Sequence, residues 1–342
     1  MARPLPVRGL HLAASDHSVE MEARDAAACE RFIREALPRE GINTLVLELD
    51  YTFRFRSHPE LADERAMDRD AARRLAKACR DAGVNLIPGF NCLGHQSWAK
   101  TTFALLRKYP QFDETPKLPA DNPGIYCRSW CPLAPGLHEI VFDLLDELAD
   151  ACESDAVHCG MDEVFLIADP DCPRCQGKDP AALFADEVTL LHDHLKAKGR
   201  AMWMWGDRFL DGKTTGMGKW EASENGTHPA VDRVPKHIVI CDWHYDKAWP
   251  TPDFFVKQGF RVIACPAGKS DVALAQLELI REAAGLGMLQ TTWVDYPDFI
   301  NAYFAAAPTR PSLSAPDPIK GAAAKVASFR ALCAAMRAEG SR

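Results

Sequence analysis

Eight short runs of apolar, β-branched and aromatic residues recur along the chain, at 9–13, 44–49, 85–89, 156–160, 201–205, 237–241, 261–265 and 288–293. Within each run the apolar residues are nearly continuous instead of alternating with polar ones. That pattern predicts strands buried on both faces, as in a parallel sheet. Between most of the runs the apolar period lengthens to three or four residues. This predicts amphipathic helices at 25–37, 68–82, 136–152, 181–198, 271–284 and 320–338. Gly83 stops the second helix. Lys196 and Lys198, followed by Gly199, put cations at the negative end of the fourth. Stretches 116–135 and 212–235 carry neither period and are long for connections, so they are expected to carry function.

Strand then helix, repeated with no linker or low-complexity break, predicts an α/β fold: one (β/α)8 TIM barrel. The domain takes in residues 1–342, with the barrel at about 8–310 and a closing helix at about 320–338. A doubly wound open sheet is the alternative. It calls for a Gly-rich phosphate loop after the first strand, and here that strand runs into Ala13-Ala14-Ser15-Asp16-His17.

In such a barrel, chemistry sits where the strands end. Strand one is followed by Asp16 and His17, and strand two by Glu48, Asp50 and Tyr51. Strand three leads to Asn91, His95, Gln96 and Trp98, and strand four to Asp162 and Glu163. Strand five brings Trp203, Trp205 and Asp207, and strand six Asp242, Trp243, His244, Tyr245 and Asp246. Strand seven adds Lys269, and strand eight Trp293, Asp295 and Tyr296. Five of the eight tryptophans fall on this rim. They could be core filler, but they coincide with acids at strand ends. Aromatic faces stack on sugar rings and carboxylates hold sugar hydroxyls. With no cluster of basic residues for phosphate, the rim points to a neutral polar ligand such as a carbohydrate.

The sharpest feature is 156–167, AVHCGMDEVFLI, where Asp162 and Glu163 interrupt an apolar frame. Asp63-Glu64, Asp113-Glu114, Asp146-Glu147 and Asp186-Glu187 repeat the dipeptide on mostly polar or helical sequence. Acids in an apolar frame are costly unless paired or turned toward a cleft. The structural reading is a strand-end acid pair held by basic neighbours; the functional one is catalysis.

Composition narrows the classes. The 342 residues are 47% hydrophobic and 26% charged, as in a soluble globular protein, and the net charge of −8 argues against nucleic-acid or membrane-surface partners. The N-terminus has no basic segment leading into a long apolar core, so no secretory leader is expected. Twelve scattered cysteines in a chain of this length imply no disulfide framework, and a cytoplasmic location is expected. Cys172-Pro-Arg-Cys175 stands apart as half of a zinc site. Cys127, Cys131 or a histidine could complete it, and otherwise these are loop thiols. No cofactor is expected, and homo-oligomerisation is left open.

These residues resemble those of the family 20 glycoside hydrolases, the β-N-acetylhexosaminidases. That family's signature is a strand ending in His-x-Gly-Gly-Asp-Glu-Val. Here it reads His158-Cys159-Gly160-Met161-Asp162-Glu163-Val164, with Met161 for the second glycine. Arg8-Gly9-Leu10 resembles the family's opening Arg-Gly, and Gly94-His95 its Pro-Gly-His, with Leu93 for proline. Trp205-Gly206-Asp207 resembles its strand-five tryptophan segment, and Trp293-Val294-Asp295 its Trp-x-Glu. The resemblance runs in order over about residues 8–300.

It implies exo-acting, retaining hydrolysis of N-acetylglucosamine or N-acetylgalactosamine glycosides. Adjacent side chains on a strand diverge, which disfavours an acid and a nucleophile facing each other across one bond. The family's substrate-assisted route fits instead, with the 2-acetamido oxygen as nucleophile and an oxazolinium intermediate. The resemblance then makes Glu163 the general acid/base, with a raised pKa, and Asp162 the ionised partner of the acetamide. Tyr245 would donate to the acetamide oxygen, with Tyr296 and Tyr51 competing for that role. Trp203, Trp205, Trp243 and Trp293 would wall the sugar. Arg8, Asp207 and Asp295 would bind it, and His95 would support the acids, as would His158 unless it is a core histidine. The rivals are a glycosidase using Asp242, Asp207 or Glu48 as nucleophile, a sugar-binding barrel without turnover, and a metal-dependent hydrolase.

Overall fold

The computed structural model describes residues 5–13, 23–62, 66–305 and 321–340. Asp16, His17, Asp63 and Glu64 lie outside the described residues. Eight parallel strands close into a barrel, each paired with its neighbours in chain order. They are β1 (Val7–Ala13), β2 (Thr44–Glu48), β3 (Asn85–Cys92), β4 (Ala156–Gly160), β5 (Ala201–Trp205), β6 (Val239–Trp243), β7 (Arg261–Cys265) and β8 (Gly287–Asp295). The helices are α1 (Ala23–Glu35), α2 (Arg69–Asp81), α3 (Leu137–Ala151), α4 (Pro180–Ala197), α5 (Thr251–Lys257), α6 (Ser270–Glu282), α7 (Tyr296–Ala305) and α8 (Ala322–Gly340), alongside shorter turns. Two of them begin on side-chain caps. Asp68 accepts the Ala71 amide ahead of α2, and Asp179 the Ala181 amide ahead of α4, with Pro180 as first residue. No helix of the described residues is long and apolar enough to cross a membrane.

Three departures from the sequence reading bear on the site. β6 begins two residues late, so Asp242 and Trp243 belong to the strand and point from it in a fixed direction. β3 runs on to Cys92, which makes Asn91 a strand residue. The β5–β6 connection forms only single turns, at Gly212–Thr215, Gly218–Glu221 and His228–Asp232, so a long loop overhangs the barrel there.

The barrel interior changes character along its axis. Val46, Ile87, Ala156, Trp203, Val239, Ile263 and Leu289 belong to one buried apolar cluster. Two residues further along the same strands, on the same face, stand Glu48, Gly89, His158, Trp205, Cys241, Cys265 and Thr291. The larger apolar core lies outside, between strands and helices. The lower interior is therefore an apolar plug, and the upper interior a floor in which polar Glu48, His158 and Thr291 join Trp205, Cys241 and Cys265 of that same interior cluster.

Candidate active site

At the end of β4 the backbone leaves the extended region. Gly160, Met161 and Glu163 take positive φ of 63°, 73° and 48°. Left-handed non-glycine residues cost on the order of 1–3 kcal/mol and collect at functional sites. Here they break the strand alternation. Asp162 and Glu163, expected to diverge, converge instead: Nε2 of His95 lies 3.3 Å from a carboxylate oxygen of each. His95 is delivered by a second strained turn, with Leu93 at φ 65° and His95 at 52°. Between them Gly94 presses on the Asp162 carbonyl, where a Cβ would come within 2.9 Å. That close approach is what requires glycine.

Burial pushes the Asp162 carboxyl up, His95 works against that, and Asp207 and Glu48 add to it. For His95, burial opposes charge, yet the Asp162 carboxylate holds the imidazole well above its ordinary value. Below lies the polar floor. His11 Nε2 sits 3.3 Å from Glu48, and Asn91 donates to both Glu48 and Asp50. Burial raises Asp50 to about 7, with Glu48 adding to the push. Burial lowers His158 to about 3, so it is neutral and accepts the Gly160 amide through Nδ1.

Five buried polar atoms around this floor have no hydrogen-bond partner among the described residues: His11 Nδ1, His158 Nε2, Trp205 Nε1, His95 Nε2 and Asp162 Oδ1. The imidazole of His95 is near both acids but aligned with neither. Each unpartnered buried group costs about 1–3 kcal/mol. Several at one barrel mouth mark a place where ligand hydroxyl or amide groups can complete the bonding.

Trp243, Tyr245 and Trp293 form one wall. Trp243 lies 4.9 Å from Tyr245 between ring centroids, and Trp293 donates its indole N–H to the Tyr245 hydroxyl. Trp293 reaches this position because β8 slips register between Thr291 and Asp295, with Trp293 at φ 47°. Burial pushes the Tyr245 hydroxyl well up, so it stays protonated and keeps a proton to give. The competing tyrosines stand elsewhere. Tyr51 donates to Gln96, and Tyr296 is buried in the core between barrel and helices. Asp295 ends β8 at the rim.

Four sequence assignments change. Arg8 is the second residue of β1, at the end of the barrel away from the acids; its guanidinium binds the carbonyls of Gly41 and Leu5, so it cannot hold a sugar there. Trp203 lies one layer down in the apolar plug. Trp205 is fully buried against His11, His158 and Trp293, within the floor and not along the wall. Asp207 has both oxygens engaged by the protein. Oδ2 accepts from Arg208 at 2.6 Å and from the Glu163 amide at 3.0 Å, and Oδ1 from the Trp243 indole at 3.2 Å. It braces the acid/base candidate and is closed to substrate. Asp242, a rival nucleophile, is likewise held by Thr251 and His244.

Sequence reasoning missed an aromatic cluster at the mouth. Tyr126 interacts with the Glu163 carboxylate and packs at 5.7 Å from Phe165, 4.9 Å from Trp220 and 5.1 Å from Trp98. Trp98 and Trp220 are half exposed. A cleft of about 300 Å³ opens beside them, lined in part by Tyr126, Phe165, Arg208 and Asn225. Two buried arginines order the loops that make it. Arg128 binds Asp113, Asn122 and the carbonyls of Leu118 and Pro119. Arg208 binds Asp207 and the carbonyls of Lys219, Trp220 and Ala222. The planar fork of arginine satisfies several carbonyls at once, which suits it to closing long loops. A signal was available for Arg128, the lone arginine of stretch 116–135, but not its partners; Arg208 lies ahead of stretch 212–235 and carried none.

Comparisons with known proteins bear on the family and the fold. A family model described as glycosyl hydrolase family 20, catalytic domain, matches residues 53–281. A beta-hexosaminidase of Vibrio furnissii is 27% identical over 203 residues, covering 57% of this chain and 29% of the relative. The solved chitobiase of Flavobacterium johnsoniae matches with a TM-score of 0.64 at 18% identity, over 97% of this chain and 51% of that one. The exo β-N-acetylglucosaminidase of Vibrio harveyi, solved in complex with N-acetylglucosamine, matches with a TM-score of 0.63 at 17% identity, over 97% and 54%. At those identities the structural likeness is one of fold. The chain spans about half the length of these solved relatives and under a third of the curated one.

Proposed function

This chain belongs to glycosyl hydrolase family 20, and from that premise we propose that it removes terminal N-acetylglucosamine or N-acetylgalactosamine from β-glycosides by substrate-assisted catalysis. The observation that carries the reading is the convergence of Asp162 and Glu163 on His95, beside the Tyr245 hydroxyl. Two carboxylates sharing one imidazole stand on one side of a site. They do not bracket an anomeric carbon from opposite faces, as an acid and an enzyme nucleophile must. The nucleophile is then the substrate's own acetamide oxygen.

Glu163 gives its proton to the glycosidic oxygen as the C1–O bond breaks, and the acetamide oxygen closes on C1. Asp162 accepts the acetamide N–H and balances the positive charge of the oxazolinium. The cation on His95 keeps Asp162 ionised against its burial. Tyr245, its oxygen already receiving the Trp293 N–H, directs its own proton to the acetamide oxygen. Glu163 then takes a proton from water, which attacks C1 from the face the leaving group left, and configuration is retained. The apolar plug closes the pocket from below, which favours a chain end and so exo-action. The leaving group lies toward Tyr126, Phe165 and Trp220.

A matched pair of aryl β-glycosides, differing only in a 2-acetamido or a 2-hydroxyl group, tests this. The 2-acetamido compound is expected to be cleaved and the 2-hydroxyl compound not. Equal cleavage of both would contradict the proposal.

A further inference from the structure

Away from the acid pair, four buried side chains from separate parts of the chain meet in one knot: Glu114, Cys131, Cys172 and Cys175. Their ligand atoms all lie within 4.8 Å of one another. Cys131 Sγ is 3.3 Å from Cys175 Sγ and 3.6 Å from Cys172 Sγ. A disulfide needs about 2.05 Å, so these are thiols brought together without being joined. A tetrahedral zinc with Zn–S near 2.3 Å sets neighbouring sulfurs about 3.8 Å apart, close to what the knot presents. A multi-iron cluster needs a wider cage.

Glu114 supplies the second, independent observation. It is completely buried; its Oε1 accepts the Asp169 amide at 3.0 Å, and its Oε2 has no hydrogen-bond partner of good geometry among the described residues. A buried carboxylate oxygen left bare beside three thiols is what a fourth ligand looks like.

The main chain builds both halves in advance. Asp113 and Trp130 form an antiparallel bridge, which sets Glu114 beside Cys131, and Cys131 is fastened by its amide to the Phe112 carbonyl. The Cys172 amide binds the Asp169 carbonyl, and tight turns follow from Cys172 to Gln176 and from Cys175 to Lys178. Arg174 lies between the two thiols in sequence and gives its Nε–H to Cys131 Sγ at 3.2 Å. Three thiolates and a carboxylate on one divalent cation leave two negative charges, and the guanidinium offsets one of them. Cys127, a candidate partner in the sequence, is not in the knot; its thiol faces the Glu163 carbonyl.

We propose that Glu114, Cys131, Cys172 and Cys175 bind one structural zinc ion. The three thiol protons leave to solvent as the Zn–S bonds form, and no electrons move. Soft thiolates with one carboxylate, tetrahedral and closed to water, select zinc over hard cations and leave no open position for catalysis. The ion staples the loop that carries Tyr126 and Arg128 to the segment that leaves Asp162 and Glu163.

Elemental analysis of the chain, purified without chelator or metal-affinity tag, is expected to find one zinc per chain. Cys131→Ser and Cys172→Ser are expected to lose it. Because loss of a structural ligand can prevent folding, the wild-type chain carries a second test. Stripped and refilled with Co2+, it is expected to show thiolate charge transfer and the intense visible bands of a tetrahedral site. Stripping with chelator is expected to lower Tm by about 5–10 °C. A reduced chain that takes up neither metal, a Cys131–Cys175 or Cys172–Cys175 disulfide, iron in place of zinc, or zinc retained by folded Cys131→Ser would each overturn the proposal.

Discussion

Asp162-Glu163 and Cys172-Cys175 lie on the same connection, between β4 and α4. The first pair is oxygen-rich, shares an imidazole, and opens to a cleft through the half-buried Glu163 and His95. Its backbone is strained at Met161, Glu163, Leu93 and His95. The second is sulfur-rich and sealed, and none of its four residues takes a positive φ. Strain has collected where groups must face a ligand with bonds unmade, and is absent where they can satisfy one another or an ion. A short segment thus separates reactivity from fastening, and the two can be perturbed apart.

The largest expected effect is at the open end. Glu163→Gln should lower kcat for glycosides with poor leaving groups by about 10²–10⁴-fold, with Tm and metal content unchanged. Loss of zinc in this variant would couple the two regions and break the contrast. Asp162→Asn and Tyr245→Phe should each cost about 10²–10³-fold in kcat, read on aryl 2-acetamido glycosides. Full activity of Asp162→Asn would sink the substrate-assisted scheme. At the sealed end the effect reverses in kind. Cys172→Ser should show its loss in Tm while keeping most of kcat in assays well below its melting point.

A smaller effect separates the regions by pH. His244 is buried. Burial opposes its charge, but Asp242 and Glu221 hold its pKa up to about 9. Glu221 also receives the Tyr245 amide, so this pair anchors the aromatic wall. A raised pKa means the folded chain keeps a proton that the unfolded chain has lost. The stabilisation is full below about 6.5 and is lost as pH rises through about 9, on the order of 3 kcal/mol. Denaturant titrations from pH 6 to 10 should show that fall, and His244→Gln should flatten it. Least of all, Trp220→Ala should raise KM about fivefold for extended substrates, the worth of one aromatic contact, with kcat kept.

Much of this was legible in the chain. Near-continuous apolar runs gave all eight strands, and strand ends brought Asp162, Glu163, His95, Trp243, Tyr245 and Trp293 to one rim. Arg8 misled because the Arg-Gly dipeptide says nothing about where the strand starts; β1 begins at Val7, which leaves Arg8 low and gives the interior position to His11. Asp207 looked like a ligand group because sequence does not reveal that Arg208, Trp243 and the Glu163 amide exhaust it. Alternation failed at Glu163, since a left-handed turn of a non-glycine residue leaves no mark in composition. Tyr126 and Trp220 sit on aperiodic loops whose paths are fixed by buried arginines. The knot needed two connections to meet; Cys172-x-x-Cys175 and Cys131 as one of its candidate partners were visible, and Glu114 was not.

The central claim, that the substrate supplies the nucleophile, is tested most directly by changing that nucleophile alone. The measurement is kcat/KM for one aryl glycoside carrying N-acetyl, N-fluoroacetyl, N-difluoroacetyl and N-trifluoroacetyl groups. Each fluorine withdraws electrons from the amide oxygen, so the account predicts a steep fall along the series. A flat series would show that the acetamide does not attack, and would return the nucleophile to the protein.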